Sequence, residues 1–307
     1  MKKWTSLIAL MMALCMVFTG CMSTVDMVDR DDDDEDEREE ENAEPEILFH
    51  TETVDMLTEE YYYDGDGSLI TSYRYEYDAF GNLAVKQVVN AEGTVTSKSV
   101  HEYDENGHLI RTENYYSDGN LGSTETYTYN EEGQCVLLVY EYIDGSMVFT
   151  TEYAYDAAGN LISAVETDEE GNFRSAQEYT YNEDHTERYT VKYDADRNGS
   201  RRENGGEYDL YDANGNLIYW CTYGSGDNMA SKDDPAYQGE CFYDENGLLV
   251  EETFSELGGY IVSKDLLTYD TSGNLVYQER IHISSGRELN HYEYVYQTMD
   301  IMVLGDE

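Results

Sequence analysis

The residues best placed to do chemistry in this chain are oxygen donors. Asp194-Ala195-Asp196-Arg197-Asn198-Gly199 follows the D-x-D-x-N-G order of the first half of a calcium loop. Side-chain oxygens at alternating positions converge on a cation there, and the glycine permits the sharp bend. Gly205 stands where such a loop places its bidentate glutamate, which leaves Glu203 or Glu207 to substitute. Arg201 and Arg202 lower the local negative charge. The ligand set read from the sequence is Asp194, Asp196, Asn198, Glu203 and Glu207, with Ca²⁺ as the ion. The alternative is a solvated surface loop. A second group is Trp220 and Tyr223, just before an insertion at about Gly224 to Pro235, with Asp227 inside it. Flat rings beside a carboxylate suit a sugar, which stacks on the one and hydrogen-bonds to the other. Catalytic signatures are missing from the sequence. The six His are scattered, with no H-E-x-x-H, and no G-x-S-x-G or P-loop is present. Carboxylates are so abundant that a close pair carries no weight for glycosidase chemistry. The chain reads as a non-enzyme.

These residues must be positioned by a repeat. A Tyr followed by Asp or Asn recurs at Tyr63, Tyr77, Tyr103, Tyr129, Tyr155, Tyr181, Tyr211, Tyr243 and Tyr269. The intervals are 14, 26, 26, 26, 26, 30, 32 and 26, so the unit is 26 residues with a half unit first and two insertions of four and six. Tyr at alternate positions, as in Tyr75 and Tyr77 or Tyr153 and Tyr155, puts both rings on one face of a strand. A turn follows with Asp first and Gly fourth, as in Asp78-Ala79-Phe80-Gly81 and Asp156-Ala157-Ala158-Gly159. Leu83, Leu109, Leu161, Leu217 and Leu275 open the return strand. A second turn comes about sixteen residues after the Tyr, at Glu92-Gly93, Asp118-Gly119, Asp144-Gly145 and Glu170-Gly171. His185 replaces the turn glycine in one unit and reads as a turn variant. The strands therefore run up and down as an antiparallel meander, with first turns on one edge and second turns on the other. Both insertions fall at second turns, which places them two strands apart, about 10 Å at ~4.8 Å per strand.

The motif Tyr-Asp-x-x-Gly-Asn-Leu, clearest at Tyr77–Leu83, Tyr155–Leu161 and Tyr269–Leu275, resembles the YD repeats of the RHS family over about residues 57–297. The resemblance implies an all-β antiparallel hairpin-repeat meander forming a long curled sheet or an open spiral shell. Large members wrap such a shell around a toxin. Here no toxin domain follows residue 297, and Asp234-Pro235 lacks the family's core sequence, so autoproteolysis is not carried over. Tandem hairpins of the MORN type are a structural alternative.

The N-terminus reads as an address. Lys2 and Lys3 precede an apolar stretch from Leu7 to Phe18 that is short for a bilayer span. It ends in Val17-Phe18-Thr19-Gly20-Cys21, which resembles a bacterial lipoprotein signal and implies cleavage before Cys21, acyl chains on that residue and anchorage in the membrane. Asp31 to Glu41 is acidic at every position but Arg38, which predicts an extended, self-repelling tether. The expected organisation is a signal at 1–20, the lipidated Cys and tether at 21–47, the repeat domain at 48–300 and a tail at 301–307. Cys135, Cys221 and Cys241 remain after processing, which leaves a Cys221–Cys241 bridge open. With 66 Asp plus Glu against 18 Lys plus Arg, the net charge of −48 excludes nucleic acid as a partner. The expected protein is a non-catalytic lipoprotein on the bacterial cell surface that binds a glycan or an extracellular protein. The alternative is an envelope scaffold without a ligand.

Overall fold

The computed structural model describes residues 49–224, 235–256 and 259–304. Cys21, the acidic tether, Asp227 and most of the second insertion lie outside the described residues. The strands are β1 (Phe49–Asp64), β2 (Leu69–Tyr77), β3 (Leu83–Asn90), β4 (Val95–Tyr103), β5 (Leu109–Tyr116), β6 (Leu121–Tyr129), β7 (Cys135–Tyr142), β8 (Val148–Tyr155) and β9 (Leu161–Asp168). They continue as β10 (Phe173–Tyr181), β11 (Glu187–Ala195), β12 (Arg201–Tyr211), β13 (Leu217–Tyr223), β14 (Tyr237–Tyr243), β15 (Leu249–Glu256), β16 (Tyr260–Tyr269), β17 (Leu275–His282) and β18 (Arg287–Leu304). Each strand pairs antiparallel with the next, and β1 pairs with β18 along its length, from Phe49↔Leu304 to Asp64↔Asn290.

The meander read from the repeat is present, but it closes into an 18-stranded barrel, where the sequence led us to expect an open spiral or curled sheet. Closure follows from the two longest strands, which find each other and leave no unpaired edge. Residues 301–304, expected in a tail, are part of β18. The N-terminal part of β1 and the C-terminal part of β18 run past the first-turn rim as a ribbon. There the Met302 N–H donates to the Ala79 carbonyl at 2.7 Å, and the Phe49 and Phe80 rings lie 5.8 Å apart.

The turn motif explains itself atom by atom. In the β2–β3 turn, Asp78 Oδ1 accepts the backbone N–H of Phe80 and of Asn82, both at 2.9 Å. Asn82 Nδ2 returns a bond to Asp78 Oδ2 at 3.0 Å. Gly81 sits at φ 83°, a conformation that costs an L-residue with a side chain about 1–2 kcal/mol. His185 holds the same kind of position at φ 57°, so the turn variant read from the sequence is what forms. After the turn, a bulge in the return strand shifts the register between Glu76 and Tyr77.

The motif Tyr then ties one repeat to the one before it. Its hydroxyl donates to the carbonyl of the residue that opens the preceding return strand: Tyr103 to Leu83 at 2.9 Å, Tyr129 to Leu109 at 2.8 Å and Tyr155 to Cys135 at 2.8 Å. Tyr181, Tyr243 and Tyr269 repeat the bond to Leu161, Leu217 and Leu249, and Tyr77 makes it to Leu57. The Tyr face is the sheltered one. Along β2, Tyr73, Tyr75 and Tyr77 are half-buried while Arg74 and Glu76 are exposed. Along β14, Gly239 and Cys241 are buried while Glu240 and Phe242 are exposed. We take the sheltered face as the lumen.

No second layer packs on this wall. Among the described residues the buried apolar side chains are Val89, Ala164, Ala176, Cys221 and Cys241, all small. A closed sheet of this strand number encloses more space than its side chains fill. Among the described residues the outer face carries Glu76, Glu102, Arg111, Glu152, Glu240 and Glu293 in different strands, and these charges interrupt its apolar surface. No helix among the described residues is long and apolar enough to cross a membrane.

Candidate functional site

The insertion around Asp194 does not form a calcium loop. It is absorbed as β-structure, with β11 running to Ala195 and β12 starting at Arg201. Asp196 Oδ1 accepts the N–H groups of Asn198 and Ser200 at 2.8 and 2.9 Å, the same bonds Asp104 makes to Asn106 and His108. Its oxygen therefore closes a turn. Asp194 points to the lumen face, opposite Ser175, and accepts from Asn204 Nδ2. Glu203 stands opposite Tyr193 on the outer face, and Glu207 pairs with Lys192 in the lumen. Pleating thus sends to opposite faces the oxygens that a loop would converge. Among the described residues, no group of three His, Cys, Asp or Glu stands close enough to hold a metal.

Trp220 and Tyr223 are three residues apart on β13 and so face opposite ways. Each covers a glycine on a neighbouring strand. Trp220 lies opposite Gly239, where an added Cβ would stand 2.4 Å from the indole Nε1. Tyr223 lies opposite Gly206, where a Cβ would stand 2.4 Å from the phenol oxygen. Aromatic cover of a strand glycine restores the packing that the glycine gives up. The open question of a Cys221–Cys241 bridge is answered by the same pleat. Cys221 faces Gln238 on the outside and Cys241 faces Glu252 inside, and no disulfide joins them. Burial pushes the Cys241 thiol up to about 12.

Trp220 keeps company that sequence reasoning missed. Its indole reaches across β14, and Nε1 donates to Glu252 Oε1 at 2.7 Å. Phe254 stands edge-on to the indole, with ring centroids 6.0 Å apart, and the Arg280 guanidinium covers Phe254 at 4.2 Å. Arg280 also grips Asp265 with two bonds of 2.6 and 2.8 Å, and Gln278 adds a third at 2.9 Å. Asp265 is 2% exposed, so that pairing satisfies a carboxylate removed from water. On the other side of Trp220, Asp209 is held by Arg188 at 2.7 Å. Two lumen rows result. One is Asp209, Trp220, Gly239, Phe254, Ser263 and His282; the other is Cys241, Glu252, Asp265, Arg280 and Asn290. Burial raises the Glu252 carboxyl above the ordinary range, and nearby Asp265 adds to this against the pull of Trp220 and Arg280. Burial likewise raises Asp209 in spite of Arg188.

The signal for this patch was Gly239 within a strand, which marks a close approach. The rest comes from pairings that no local pattern reports.

Neither a family model nor a curated protein matches the chain. Among solved structures it is similar to a porin-like protein from Bacteroides uniformis, at 10% identity and TM-score 0.44, over 78% of this chain and 98% of that one. It is also similar to a Photorhabdus luminescens Tc holotoxin pore, at 14% identity and TM-score 0.29, over 77% of this chain and 15% of that one. A protein with unknown function from Bacteroides fragilis matches at 17% identity and TM-score 0.23, over 52% and 92%. Likenesses at these scores carry no inference about function.

Proposed function

We propose that the protein is a non-catalytic binding module of the bacterial cell surface, held by a lipid on Cys21, and that it takes a glycan on its lumen wall. The YD-type motif and the lipoprotein-like N-terminus support the extracytoplasmic setting. The observation that carries the ligand is the Trp220 platform: a flat indole laid over Gly239, with Phe254, Glu252 and the Arg280–Asp265 pair around it. A sugar offers an apolar C–H face to such a ring and hydroxyls to the polar groups beside it. No apolar outer belt is needed for this task.

The test is retention of the full chain on a panel of cell-wall and host polysaccharide gels. Trp220→Leu keeps an apolar cover over Gly239 and removes the stacking face. Tyr223→Leu does the same on the outer wall. Retention lost in the first and kept in the second supports the lumen site. Equal retention of both variants sinks it, and no retention of the unmodified chain on any gel removes the glycan. A scaffold role is favoured by one feature, the regular strand repeat from β2 to β9, and predicts that last result.

A further inference from the structure

The charges of the lumen patch do not all cancel. Asp209 is neutralised by Arg188, Asp265 by Arg280 and Glu207 by Lys192. Glu252 is the exception. It accepts a neutral N–H from Trp220, and among the described residues no cation stands within ion-pair distance of it. Arg280 is near, but both arms of its fork go to Asp265. The wall therefore presents one half-buried carboxylate without an ion pair at the edge of a flat aromatic face. The ligand that completes this arrangement brings a cation attached to a ring. The ring covers the indole, and the cation sits within reach of Glu252 in a charge-assisted hydrogen bond, about twice as strong as a neutral one. A neutral sugar would fill the platform and leave the carboxylate unpaired.

We propose that the site selects an amino sugar with a free amine, its ring on Trp220 and its ammonium on Glu252. The inference rests on the glycan reading and narrows it. Phe254 closes one side of the platform, and Gly239 is what lets the indole lie flat. N-acetylation of the ligand removes the charge and adds bulk, so the structure predicts discrimination between two sugars that differ in one group.

The chain holds two tryptophans, Trp4 and Trp220. In full-length Trp4→Phe protein, indole emission reports on Trp220 alone. The experiment titrates that emission with a β-1,4-linked glucosamine tetramer and with its fully N-acetylated counterpart, at about pH 6, because ring oxygens hold a sugar amine well below the α-amino value of about 8. The expected result is binding of the free amine at least tenfold tighter. Glu252→Gln, nearly isosteric and still an acceptor for the indole N–H, should bring the ratio to about one while the acetylated tetramer binds as before. Equal binding of the two tetramers, or an unchanged ratio in Glu252→Gln, overturns the amine selectivity and leaves the glycan reading standing. If neither tetramer binds, the amino-sugar proposal falls, and the polysaccharide panel decides the glycan reading separately.

Discussion

The first-turn aspartates and the lumen carboxylates respond to pH in opposite directions. Asp156, Asp212 and Asp270 lie below the ordinary carboxylate range because the side chain and backbone N–H of Asn160, Asn216 and Asn274 bond to them. Their stabilisation is complete above the unfolded pKa of about 4 and is lost as pH falls through the lower folded values. Glu252 is raised by burial, so it favours the fold below its unfolded pKa and loses that contribution as pH rises through the folded value. Glu252→Gln is therefore expected to melt at the same or a higher temperature than the parent at pH 7, with the gap closing towards pH 4. Calorimetry at the two pH values checks this, and a lower melting point at pH 7 contradicts it. The motif tyrosines give a second prediction. Tyr129→Phe leaves the Leu109 carbonyl without its 2.8 Å donor and should cost about 0.5–1.5 kcal/mol in denaturant unfolding. Asp, Gly and Tyr were legible in the motif because each has a local job. The Asn bond back to the Asp and the tyrosine's reach into the preceding unit were not, since their partners show only when the turn is built.

Strands, turns and their alternation follow from the 26-residue period, and every motif turn that was named forms where it was read. The first insertion was misread because D-x-D-x-N-G and a longer hairpin look alike in sequence. The Asp196 turn takes its acceptor bonds from the backbone, and the extra residues extend β11 and β12. The β15–β17 wall depends on its buried pair. Removing the fork in Arg280→Met leaves Asp265 in place without its cation and should cost about 3 kcal/mol. Replacing both by Met and Leu should recover most of that loss, which a double-mutant cycle in urea measures. Strand β18 has a different role, because it seals the sheet. Deleting residues 287–304 exposes the edges of β1 and β17, and the truncated chain is expected to associate, as light scattering on a sizing column would register. A monodisperse monomer would show that the seal is dispensable.

A closed sheet without a second layer is a thin-walled object, and its stability is distributed over ladders of cross-strand pairs. That economy was legible in the many Tyr and the scarcity of long apolar runs. Closure was not, because a repeat period sets how strands follow one another and says nothing of where the last one goes. The same holds for the site. Trp220 was legible as a candidate ring, while Glu252, Phe254, Asp265 and Arg280 join it only through registers spread over five strands. The wall from β2 to β9 carries Ser99, Thr112 and Ser123 on its lumen side, and beside them the rings of Tyr140, Tyr142 and Phe149. The most direct measurement is titration calorimetry of the full chain with a polysaccharide fragment retained on the gels, repeated with Trp220→Leu and Tyr223→Leu after both are shown to melt cooperatively. The account predicts that heat of binding disappears with Trp220→Leu and survives Tyr223→Leu. Binding that survives Trp220→Leu unchanged would place the ligand elsewhere and contradict it.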